Sequence, residues 1–304
     1  MSTVDRPEFA EATRALRDAL VDVIECHQTE DLRAGHEPPI GSPAATDDLR
    51  AQHYAAIEGS PTKEARLMGG VQLSAATEMI RALLAIYESD VAVVAADKVL
   101  VRSVLESTGR SAWLLDPTLD THTRVARGLV ERFEDLRLQR RILPGERGEW
   151  WQKRIEALER QAKAAGFNIQ HIKNDATRVG GTRRLTSTEA VETILGGRGD
   201  DEHLGAGTLA QRYLSLATHG NVASMLLHRG GDDELVDLGG GVVGAPMMMT
   251  SNSVNQMVAM CGLGYLVAVN ARRQLMGWRD PTWGRVIANF AAVRRRVLPD
   301  VEGA

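Results

Sequence analysis

Residues 90–115 read DVAVVAADKVLVRSVLESTGRSAWLL. Apolar side chains fall nearly all round a helical wheel in this stretch, the pattern of a helix enclosed by other helices. The β-branched run at its start also fits a buried strand. Its length favours a helix, as does the spacing of Arg102, Glu106 and Arg110, four residues apart on one face. Asp116-Pro117 ends the segment, because the residue before a proline avoids helical geometry. One enclosed helix requires several around it, so the expected fold class is all-α.

The flanking sequence supplies those neighbours. Phe9, Leu16, Leu20 and Val23 form one stripe of a helix over 8–27, and another helix starts after Pro61 with Leu67, Val71, Ala75, Met79, Leu83 and Ile86 as its apolar stripe. Two amphipathic stretches, 121–142 and 146–165, joined by Leu143-Pro144-Gly145, predict a protruding helical hairpin. Thr186 and Glu189 form a capping-box pattern that opens a short helix to Leu195. Further helices are expected over 208–228, 251–276 and 281–296, the last started by Asp280-Pro281. The total is a bundle of roughly eight helices with Gly-rich loops and almost no sheet. Its domains read as an N-terminal helix (1–33), a Pro- and Gly-rich linker (34–61) with one short helical piece near 48–57, and a single helical domain (62–304) whose 166–207 segment is irregular.

Composition narrows the classes. The 304 residues are 43% hydrophobic and 25% charged, a globular balance, and aromatics at 4% disfavour a sheet-rich fold. A net charge of −4 gives no overall positive field for nucleic acid. Two cysteines, Cys26 and Cys261, make neither a disulfide scaffold nor a metal cluster. The N-terminus has acids and no apolar core, and the apolar stretch 257–269 is shorter than the roughly 20 residues a bilayer requires. The expected location is cytoplasmic, with no membrane partner.

Two constellations carry candidate chemistry. Glu106 can be bracketed by Arg102 and Arg110. That arrangement reads either as a structural ion pair that orients the core or as an anion-binding wall with Glu106 as its orienter. Arg124 and Arg127 on the next helix are further candidates for the wall. The second constellation is RYLSLATH, residues 212–219. Seven residues make nearly two helical turns, so Arg212 and His219 share a face with Ser215 between them. A fixed cation beside an imidazole that titrates near neutral pH suits metal-free RNA cleavage. Gly239–Gly244 lacks the residues of a phosphate loop, and the acidic runs 200–203 and 232–234 lack a calcium ligand ladder; all read as turns or solvated loops. Met247–Met249, Met257 and Met260 read as core filling, and Arg294–Arg296 as a complement to a helix C-terminus.

The Arg212-x6-His219 helix resembles the signature of the HEPN superfamily, all-helical proteins marked by an arginine, four to six residues, then a histidine on one helix. R-x-x-x-E…WLLDP and Y-L-S-x-x-x-H-G are also similar to uncharacterised helical proteins of actinomycetes, read here as HEPN-like. The resemblance spans about half of the chain, and Tyr213 stands where the family has a small polar residue or histidine. It implies a metal-independent endoribonuclease working as a homodimer in stress or phage defence, with Arg212 and His219 catalytic. Ser215, Arg102 and Arg110 are then the candidate substrate-binding residues. The alternative is a non-catalytic helical scaffold binding a protein partner or a small ligand. Neither reading calls for a cofactor or a metal, and the partners considered are RNA, a second copy of the chain, or another protein.

Overall fold

The computed structural model of the chain describes residues 7–34, 37–89, 96–143, 145–172, 177–196, 206–218, 236–237, 243–244 and 251–298. Ten α-helices lie among them: α1 (Pro7–Ala34), α2 (Pro43–Arg50), α3 (Pro61–Glu88), α4 (Ala96–Leu114), α5 (Thr121–Ile142), α6 (Glu146–Ala164), α7 (Ser187–Leu195), α8 (Ala206–Thr218), α9 (Ser251–Met276) and α10 (Thr282–Val297). The fold is all-α. As the apolar pattern of 90–115 requires, α4 is surrounded, packing against α3, α7, α8 and α9, with Val101, Val104, Leu105 and Leu114 buried.

Local chemistry explains where the helices begin. Asp120 accepts from the Thr123 backbone N–H at 2.6 Å to open α5, and Thr186 and Glu189 make the reciprocal capping box of α7. Asp280 accepts from the Thr282 N–H at 2.7 Å ahead of α10. The structure corrects the reading of 34–61 as a linker, since Ser42 caps α2 by accepting from the Ala45 N–H at 3.1 Å and Pro43 supplies its first turn. The helix therefore starts before the expected 48–57 piece, and a single 3₁₀ turn (Ala51–Tyr54) follows it.

Two buried clusters result. The larger unites α1, α2, α3, α4, α7, α8, α9 and α10, so the N-terminal helix shares the core of the main domain through Leu16, Leu20 and Val23. The smaller lies between α5 and α6, where Val125, Leu129 and Phe133 meet Ile155 and Leu158, closed by Tyr54, Phe167 and Val179. On α3 the buried stripe is Ala65, Gly69, Leu73, Ala76, Ile80 and Leu83, while Leu67 and Val71 point outward. Of the expected stripe only Leu83 is buried, with Ala75, Met79 and Ile86 half-buried beside it, because apolar residues occupy two adjacent faces of α3.

The segment 166–207 is also less irregular than expected. Three short strands, β1 (Ile169–His171), β2 (Thr177–Val179) and β3 (Thr182–Arg183), form an antiparallel sheet with Ile169 opposite Val179 and Val179 opposite Thr182. Gly180 and Gly181, with φ of 54° and 81°, make the two-residue turn between β2 and β3. Such a turn needs positive φ at both positions, which glycine adopts freely. A further pair, β4 (Val236–Asp237) and β5 (Val243–Gly244), is a minimal hairpin. By length and composition Ser253–Met276 is apolar enough to cross a membrane. In the structure this helix fills the core with Val258, Cys261, Tyr265 and Val269. Its Met257 is buried and Met260 packs beside it, as core filling requires.

Candidate functional site

On α4, intervals of four place Arg102, Glu106 and Arg110 along one face, spanning about 12 Å of helix. Arg102 Nε donates to Glu106 Oε1 at 2.8 Å, with each side chain 19% exposed. This is the expected ion pair, partly screened from water. The same guanidinium reaches the next constellation, with Arg102 Nη1 3.5 Å from Ser215 Oγ. The R-x-x-x-E face of α4 and the Y-L-S segment of α8 thus converge.

Arg110 belongs to a different neighbourhood. Its Nε is buried without a hydrogen-bond partner among the described residues. Across from it, Arg184 grips the buried Glu131 of α5 with two nitrogens, at 3.1 and 3.0 Å. Burial lowers the Arg110 pKa most, and the Arg184 charge adds to that, while Glu131 and Glu106 oppose it. Burial likewise raises the Glu131 carboxyl pKa against the pull of Arg184 and Arg110. The bracket around Glu106 is therefore asymmetric, with a hydrogen bond from Arg102 and only a field from Arg110. Charge alternates along the α4 face from α8 to α5. The meeting of Glu131 and Arg184 was not anticipated from sequence, because it joins α5 to the segment before α7 across 53 positions.

Helix α8 packs on α7 and α4 with Leu214 in the core. Arg212 is exposed, and Ser215 lies between that exposed side and α4. The helical context required for the Arg212–Ser215 register is present. His219, one residue beyond the end of α8, lies outside the described residues, as do the acidic runs, Met247–Met249 and the start of the 239–244 glycine run.

Arg124 and Arg127 do not join the seam. Arg124 is fully buried, bound to Asp47 and to the backbone carbonyls of Leu114, Asp116 and Leu119. Arg127 donates to the Trp113 carbonyl and stacks 4.8 Å above the Trp113 ring. Its pKa is lowered to about 10, chiefly by burial and partly offset by Asp116. Both cations are consumed by the turn between α4 and α5. Burial raises the pKa of both cysteine thiols, Cys26 and Cys261, so neither is activated as a nucleophile. Among the described residues no group of three His, Cys, Asp or Glu side chains is gathered as a metal site. Comparison of the chain with protein-family models, curated proteins and solved structures returned no match.

Proposed function

We propose that the α4–α8 junction is the site of a HEPN-like, metal-independent endoribonuclease acting as a homodimer. One observation carries the reading. Arg102, bonded to Glu106, reaches Ser215, so the R-x-x-x-E motif of α4 meets the helix that carries Arg212 instead of lying on a separate face. The exposed guanidinium of Arg212 stands on the same helix as Ser215 and is available to a phosphate.

In this mechanism His219 takes the proton of a ribose 2′-hydroxyl, and the freed oxygen attacks the adjacent phosphorus. Arg212 stabilises the charge that builds on the non-bridging oxygens. The bond to the 5′-oxygen breaks, and that oxygen leaves with a proton returned by the imidazolium. The products are a 2′,3′-cyclic phosphate and a 5′-hydroxyl end. Arg102, oriented by Glu106, is the second cation against the substrate backbone.

The test is cleavage of single-stranded RNA by the purified chain in EDTA, beside His219→Ala and Arg212→Ala with circular dichroism matched to the wild type. The expected result is cleavage that ends in cyclic phosphate and is lost in both variants. Equal cleavage by wild type and His219→Ala, or none by the wild type, overturns the proposal. The scaffold reading has one observation in its favour: Glu106 already neutralises Arg102, which is how a purely structural pair is arranged.

A further inference from the structure

A separate cavity of about 800 Å³ opens between the strap that leads into α2 and the turn joining α9 to α10. Its volume falls in the range of small-molecule sites. Pro39, Pro43, Trp278 and Trp283 give it apolar walls, and its ionic lining has a single sign. Arg273 and Arg279 line it, and no carboxylate does among the described residues.

The two arginines differ in state. Arg273 is buried, paired with Glu30, and set 4.8 Å over the Trp283 ring. Its charge is committed and its orientation held. Arg279 is exposed at the mouth, where a smaller hollow of about 360 Å³ shares Trp278 and Arg279 with the larger one. The acids Glu30, Glu37 and Asp280 lie on that smaller side together with Arg33.

The tryptophan N–H groups are sealed from solvent, so the indoles offer the cavity only their apolar surface. Nε1 of Trp278 and Nε1 of Trp283 are both buried, with no hydrogen-bond partner among the described residues. Aromatic and proline walls with an exposed cation, and no acid among the described lining residues, together suit a flat, negatively charged molecule.

We propose that this cavity binds a small aromatic carboxylate, its ring against Trp278 and Pro39 and its anionic group on Arg279. The proposal is independent of RNA cleavage, since it uses none of α4 or α8.

Isothermal titration of the full chain with a naphthalene carboxylate, and with the neutral naphthalene carboxamide as control, tests it. The carboxylate should bind at least about tenfold more tightly than the amide, as a charge-assisted contact to arginine provides. Arg279→Gln, a change at an exposed residue, should remove that preference and leave amide binding unaltered. Gln274→Trp, placing a ring on the exposed lining of α9, should weaken both ligands by filling the space. The proposal fails if the carboxylate does not bind at millimolar concentration. It fails equally if the two ligands bind alike, or if the carboxylate preference survives in Arg279→Gln.

Discussion

Arg124 Nε stands 2.7 Å from Asp47 Oδ2, with the arginine side chain fully buried and the aspartate 4% exposed. The pair ties α5 to α2, and the remaining guanidinium nitrogens reach the carbonyls of Leu114, Asp116 and Leu119. One side chain thereby satisfies the end of α4, closes the turn into α5 and holds in place a segment whose composition resembles a linker. Burial lowers the Arg124 pKa, and the Asp47 carboxylate counteracts it.

Removing one partner leaves a buried charge without compensation, which costs about 3–5 kcal/mol. Asp47→Ala should therefore lower unfolding stability by that amount in urea titration. Replacing both residues, Asp47→Leu with Arg124→Met, should recover only part of the loss, because the carbonyls of Leu114, Asp116 and Leu119 then lose their donor. A cost below about 1 kcal/mol for Asp47→Ala is what an exposed pair gives, and would contradict this burial.

His27 predicts a pH dependence. Its Nδ1 lies 2.8 Å from the Tyr265 hydroxyl, and burial, reinforced by Arg272 and Arg273, lowers its pKa from 6.5 to about 3. The unfolded chain takes up a proton below pH 6.5 that the folded ring refuses until about pH 3. Stability is thus complete above that window and falls as the pH drops through it, by on the order of 2 kcal/mol at pH 5. Thermal melts at pH 7 and pH 5 should show a smaller acid loss for His27→Gln than for the wild type. Identical losses would mean that the imidazole is protonated without penalty.

The backbones of α4 and α7 touch at Gly109, where an added Cβ would lie 2.0 Å from the Ala190 carbonyl oxygen. No rotamer relieves a clash with main chain. Gly109→Ala should cost roughly 1–3 kcal/mol or more by forcing α7 outward. Gly284→Ala, at an exposed position of α10 with nothing within 4 Å, is the control and should be neutral or stabilising by up to about 1 kcal/mol. Equal melting temperatures for the two variants would refute the close approach.

Much of the helical layout is legible locally. The bounds expected for α5 and α9 are those observed, and the α7 capping box forms as its sequence spells it. Misreadings arose where local rules compete. Leu67 and Val71 are apolar yet exposed, and Ala75, Met79 and Ile86 are only half-buried, so periodicity alone misplaced most of the α3 stripe. The Gly180-Gly181 turn carried a hairpin signal that strands of only two or three residues were too short to reinforce. At the candidate site, the Arg102–Glu106 bond follows from spacing, but nothing local distinguishes Arg110, whose neighbours are brought by α5 and the strand leading into α7.

What the amino-acid order settled by itself is most of the helices, the capping box of α7 and the four-residue ion pair on α4, because these interactions link residues within one or two turns of chain. Helix crossing decided the rest. Asp47 meets Arg124 across 77 positions and Ser215 meets Arg102 across 113, while the tryptophan-walled cavity takes lining from both α9 and the strap before α2. Such meetings depend on the angle and depth at which side-chain ridges of separate helices interlock, a property of the packed core as a whole that no single segment encodes.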